Sequence, residues 1–172
     1  MQVLFVHQNF PAQFVHLSAA LAARPGNKVY GLGENPNKAP PGVVHARYPK
    51  PNGAGDRTHR YLRTTEAGIR RGQAAAQACC QLRNQGARPD VIYCHPGWGE
   101  GLFLRDVFPD ARIIHYCEYY YRSRGGDVGF EPGKEINIDE MARVRAMNFV
   151  QNLSLESADW CTSPTLWQRS RY

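Results

Sequence analysis

Short apolar runs, each closed by polar residues, recur along the chain. The first, "VLFVH" at 3–7, mixes β-branched and aromatic residues over too few positions for a helix and predicts a buried strand. "KVYGLG" at 28–33, "GVVHARY" at 42–48, "PDVIYCH" at 89–95, "ARIIHYCEYYY" at 111–121 and "DWCTSP" at 159–164 repeat that pattern. The intervening stretches carry helical spacing. In "QNFPAQFVHLSAALAARPG", Pro11 suits a first helical turn, Phe14, Leu17 and Leu21 share a face, and Pro25-Gly26 ends the element. Residues 57–86 predict one long helix or two broken ones, with Leu62, Ile69, Ala76 and Leu82 as an apolar stripe. "EGLFLRDVF" at 100–108 predicts a short helix. Residues 138–158 predict another, with Ile138, Met141, Val144 and Leu155 facing inward. "TLWQRSRY" opens a last helical segment. Stretches 34–42, 49–56 and 122–137 read as loops.

Strands alternating with helices imply βαβ units. The predicted fold is α/β: a single Rossmann-like domain over 1–172, with a doubly wound, mostly parallel sheet and helices on both faces. A chain of 172 residues is long enough for one proper core.

Composition narrows the partners. The net charge of +6 favours anionic ones, but no Lys/Arg block or aromatic-basic signature appears, so nucleic acid is not expected. Arg60, Arg63, Arg70, Arg71 and Arg83 give the long helix a basic surface. It is either a solvated face or one that approaches a phosphate-bearing or membrane-bound substrate. No apolar run approaches the ~18 residues of a membrane span, and the first residues show no secretory pattern. The five cysteines are odd in number and lack C-x-x-C spacing, which fits reduced thiols in a cytoplasm. The first turn, "HQNFPAQF", lacks the glycines of a dinucleotide fingerprint. Walker A, H-E-x-x-H and G-x-S-x-G patterns are also missing, and no metal or other cofactor is expected.

In such sheets ligands bind beyond the carboxyl ends of the strands. Three polar loops lie there: "HQNFPAQ", "HPGWGE" and "CEYYYRS". His7, Gln8 and Asn9 edge the first. His95 is placed as base or donor. Gly97 and Gly99 would let a ligand approach the backbone, beside Trp98. Glu100 would accept a sugar hydroxyl or simply favour a helix N-terminus. Glu118, next to Tyr119 and Tyr120, offers a carboxylate beside rings that suit the C–H faces of sugars; the plainer alternative is an ion pair with Arg122 or Arg124. His115 reads as a packed core or interface histidine.

The stretches "VLFVHQNFPAQFVHLSAALAARPGNKVYGLG", "PDVIYCHPGWGEGLFLRDVFPDARIIHYCEYYY", "DVGF" and "SPTLWQRS" resemble the N-terminal domain of bacterial family 4 glycosyltransferases, in a subgroup with HPGWGE and SPTxWQRS signatures. The resemblance implies half of a GT-B fold, in which two Rossmann-like domains face each other across a cleft. It implies retaining, metal-independent transfer of a sugar from a nucleotide-sugar donor to a glycan or lipid-linked acceptor. That reaction belongs to polysaccharide or glycoconjugate biosynthesis at the cytoplasmic membrane face. By the same resemblance His95 and Glu100 line the cleft, and Glu118 stands where the family commonly has a histidine. Ala12 stands where the subgroup tends to have glycine. Trp167, Gln168 and Arg169 lie near the interdomain crossover.

The family's C-terminal donor-binding region would begin where this chain stops. The expectation is therefore an isolated acceptor-side domain, with little transferase activity alone and an exposed cleft face that could pair two copies. A non-enzymatic nucleotide- or glycan-binding module, and more weakly a flavodoxin-like binder, stand as alternatives.

Overall fold

Gln2–Val6 (β1), Lys28–Gly33 (β2), Val43–Arg47 (β3), Val91–Cys94 (β4), Arg112–Tyr116 (β5) and Trp160–Thr162 (β6) form one sheet in a computed structural model. The structure describes residues 1–126, 131, 133, 135 and 137–172, so "DVGF" and part of the predicted 122–137 loop lie outside the described residues. The strand order is β3-β2-β1-β4-β5-β6 and every pairing is parallel. This is the doubly wound Rossmann-like arrangement. The order in which strands are added reverses between β1 and β4, which lie side by side and parallel, with Val6 opposite Cys94.

The central strands are covered on both faces, so they read in sequence as continuous apolar runs. Leu4, Val6, Leu32, Ile92, Cys94 and Ile113 join Ala75, Cys79 and Leu82 on one side. Val3, Phe5 and Val29 join Phe10 and Phe14 on the other. The helices are Val15–Ala22 (α1), Arg63–Asn84 (α2), Leu104–Val107 (α3), Ile138–Ala146 (α4), Phe149–Glu156 (α5) and Leu166–Arg169 (α6). A short 3-10 turn, Ala12–Phe14, precedes α1.

Three helical expectations change. The stretch 57–86 holds one helix, and its inward face is Gly68, Gly72, Ala75, Cys79 and Leu82, while Leu62 and Ile69 are exposed. Small residues win because the helix backbone comes close to its neighbours. A Cβ on Gly68 would lie 2.7 Å from Val150 Cγ2, and one on Gly72 would lie 2.6 Å from the Gly99 carbonyl oxygen. The 138–158 stretch breaks at Met147–Asn148 into α4 and α5. Ile138, expected inside, is 76% exposed, whereas Val144, Ala146, Val150 and Ser154 turn inward. In α1 Leu17 is exposed and Ser18 buried, since Phe14 and the small side of the helix meet the sheet.

Candidate functional site

The strand ends bring two histidines together where the strand order reverses, the place where open α/β sheets form their crevice. His7 follows β1 and donates its backbone N–H to Leu32 O at 3.1 Å; His95 follows β4 and donates to Val6 O at 3.4 Å. Their rings meet edge to face at 5.8 Å. His7 Nδ1 accepts the Asn9 N–H at 3.0 Å, and His95 Nδ1 accepts the Gly97 N–H at 3.1 Å. Both Nε2 atoms therefore carry the proton of the neutral ring. Burial lowers the His7 pKa to about 4. His95 falls to about 3, by burial first and then by the neighbouring His7 and His115. Both rings are neutral at physiological pH.

From that neutral ring His95 directs Nε2–H toward Glu118 Oε2, 3.4 Å away. Because His95 is uncharged, the contact is a polar N–H to carboxylate contact rather than an ion pair. Glu118 does not take Arg122, whose guanidinium goes to the Ser170 and Arg171 carbonyls. The carboxylate is 39% exposed, and partial burial raises its pKa. Trp98 stacks on the His95 ring at 5.8 Å and 24° and remains 42% exposed. A buried, preset donor thus faces a half-exposed carboxylate beside an open aromatic face.

Other rim residues take different places. Gln8 O accepts the Glu34 and Asn35 N–H groups, and Asn9 is tied to Asn35 and Asn37. Tyr119 packs edge-on to Tyr121, and Tyr120 packs on Tyr172 while its hydroxyl donates to Asn152 Oδ1 at 3.1 Å. Gly99, expected to admit a ligand, instead admits α2. Its φ is +110°, and a Cβ there would lie 2.0 Å from the Gly68 carbonyl oxygen. A Cβ on Gly97 would crowd the His95 ring at 3.0 Å. Glu100, expected in the cleft, is 1% exposed. Its Oε1 accepts the Tyr48 hydroxyl at 2.8 Å, and burial raises its pKa. His115 is buried in the core as expected, above Gly101. Trp167, from the WQRS stretch, is exposed and lies under the Arg171 guanidinium at 4.8 Å.

Sequence reasoning missed the residues that hold the turn. Arg71 on α2 donates Nε to Glu34 Oε2 at 3.1 Å and Nη1 to Trp98 O at 3.1 Å. It joins the end of β2 to the backbone of the residue that stacks on His95. An acidic residue directly after a predicted strand was the only signal, and its partner lies far along the chain. Among the described residues no group of acidic, histidine or cysteine side chains could hold a metal ion, and no helix is long and apolar enough to cross a membrane.

Residues 25–172 match the glycosyl transferase family 4 group, and the chain belongs to that family. A search of curated proteins returns no match.

Proposed function

We propose that this domain is the acceptor side of a retaining, metal-independent glycosyltransferase of hexosyltransferase type, which moves a sugar from a nucleotide-sugar donor to an acceptor hydroxyl. The observation that carries this reading is the His95–Glu118 contact at 3.4 Å at the switch point of the sheet. In this reading Glu118 accepts the acceptor hydroxyl or faces the positive charge that develops on the sugar. His95 holds Glu118 in place by its Nε2–H, and Trp98 offers a ring to a sugar's C–H face. His7, Gln8 and Asn9 line the neighbouring edge. Rate would come from positioning and electrostatics, with the donor's nucleotide held by a second domain. The exposed Arg57 and Arg63 support work at an anionic cytoplasmic membrane surface.

The test is turnover of a panel of nucleotide sugars, with acceptor extracts, by the enzyme that carries this domain. Glu118→Gln and His95→Ala should each lower kcat/KM at least tenfold, about 1.4 kcal/mol of barrier, with circular dichroism unchanged. Wild-type rates in both folded variants would remove the rim from the chemistry.

A further inference from the structure

The five cysteines are scattered along the sequence, yet the fold brings two of them together at one end of the sheet. β5 and β6 run parallel with His115 opposite Cys161, and the Cys117 N–H extends the ladder by donating to Thr162 O at 2.7 Å. Side chains alternate along a strand, so His115, Cys117 and Cys161 share one face. There the Cys117 and Cys161 thiols hydrogen-bond to each other. Cys117 Sγ also lies 3.9 Å from the His115 carbonyl oxygen.

Both thiols are free, and both line a concavity of about 980 Å³ bounded by Asn152 and Leu155 on α5 and by Leu166 and Tyr172. Their surroundings differ. Cys161 is exposed, in an edge strand whose three residues are all exposed. Cys117 is 1% exposed. Burial first, and then neighbouring Cys161, pushes its thiol up to about 12. An accessible thiol beside a buried one divides the work of thiol–disulfide exchange: the first meets the reagent and the second resolves it. The sulfurs must close from a hydrogen bond to about 2 Å. β6 is short and Cys117 lies one residue past the end of β5, so neither sulfur is held by sheet on both sides.

We infer that Cys117 and Cys161 form a reversible thiol–disulfide site, closed by a small external disulfide, and that closing it displaces Glu118. Cys161 Sγ loses its proton to solvent and attacks one sulfur of the external disulfide. A mixed disulfide forms on Cys161 and one thiolate leaves. Cys117 Sγ then gives up its proton and attacks the Cys161 sulfur, and the second thiolate leaves. The two thiolates take up the two protons. The protein pair is oxidised by two electrons, and the external disulfide is reduced to two thiols. Cys117 leads directly into Glu118, whose Oε2 sits 3.4 Å from His95 Nε2. A backbone drawn toward β6 moves that carboxylate off the histidine. The effect on transfer rests on the transferase reading above; the bond itself does not.

The test begins with the chain, incubated with oxidised glutathione at mildly alkaline pH and digested without reduction. Peptide mass mapping should find glutathione on Cys161 first and then a Cys117–Cys161 cross-link. Two of the five free thiols should disappear, and dithiothreitol should restore them. Cys161→Ser should abolish the cross-link, whereas Cys80→Ser, at the other cysteine that is not fully buried, should leave it intact. Glutathione that stays on Cys161 without a cross-link would overturn the pair, and no reaction at Cys161 would overturn the site. In the enzyme that carries this domain, oxidation should lower turnover at least tenfold, reversibly, and Cys161→Ser should resist the oxidant. A mapped cross-link with unchanged turnover, in an enzyme that Glu118→Gln does slow, would overturn the displacement. Wild-type turnover in Glu118→Gln would instead sink the catalytic reading and leave the mapped bond standing.

Discussion

Two loops of one rim are held in opposite ways. The HPGWGE turn after β4 is built into the core. Gly99 lies against the α2 backbone, Glu100 is buried on Tyr48, and Arg71 grips the Trp98 carbonyl. The Glu118–Arg124 loop after β5 is held by side-chain clasps instead. Asn148 takes both backbone groups of Tyr121; Gln151 Nε2 and the Tyr172 hydroxyl both donate to Tyr119 O. Backbone packing leaves no slack, whereas clasps can be lengthened or released. The comparison teaches that a signature of glycines and a carboxylate can mark a rigid platform. Here it presents one histidine and one tryptophan, while the adjustable loop carries the carboxylate those groups face.

The sharpest way to break the contrast is Gly99→Ala. The new Cβ meets a backbone oxygen, and φ of +110° disfavours any L side chain. We expect a loss of more than about 4 kcal/mol in urea unfolding, among the largest single-site effects. A near-neutral result would show that the turn is not locked.

Acid should strike the platform next. His7, His95 and His115 have folded pKa values of about 4, 3 and 4 against an unfolded value near 6.5, each lowered chiefly by burial. A folded pKa below the unfolded one gives stability that is complete above pH 6.5 and falls away as pH drops toward 3–4. Each histidine contributes about 1.4 kcal/mol per pH unit inside that window. Glu100 and Glu118, with raised values, act in the opposite sense. Urea midpoints at pH 7.5 and 5.5 should differ markedly, and less so in His115→Gln once its own destabilisation is subtracted.

Asn148→Ala should release the clasped loop while the platform stays intact. Losing two buried hydrogen bonds costs about 1–3 kcal/mol. Amide exchange should quicken at Tyr119–Arg122 and stay slow at Gly97–Gly101. Uniform quickening across both loops would merge the two regions into one cooperative unit.

The smallest effect sharpens a third loop. Ala12 sits at φ +39°, a left-handed conformation that favours glycine. Ala12→Gly should stabilise the domain by about 0.5–1 kcal/mol, the relief of strain outweighing the added freedom of the unfolded chain. A loss in thermal midpoint would show that the loop tolerates alanine without strain.

Much of the fold was legible because central parallel strands are buried on both faces and must be apolar throughout. "VLFVH" and "KVYGLG" announce themselves for that reason. The turns at their carboxyl ends were legible as a rim, since polar residues directly after buried strands must surface. The packed face of α2 was not legible. Large residues such as Leu62 and Ile69 dominate any apolar pattern, yet Gly68 and Gly72 make the contact. The closeness of a neighbour decides that, and it comes from residues far along the chain. The break at Met147–Asn148 was hidden similarly, because its residues continue a helical pattern.

By itself, then, the sequence determined the strands, their parallel class and which loops gather at the carboxyl rim, because burial and chain direction are written locally in residue type. The tertiary structure alone decided which side chains of that rim meet. His95 finds Glu118, Glu100 withdraws to Tyr48, and Arg71 finds Glu34 and Trp98 because parallel strands set distant loops side by side. The reach and burial of each side chain then settle its partner, and neither is encoded in any single stretch of chain.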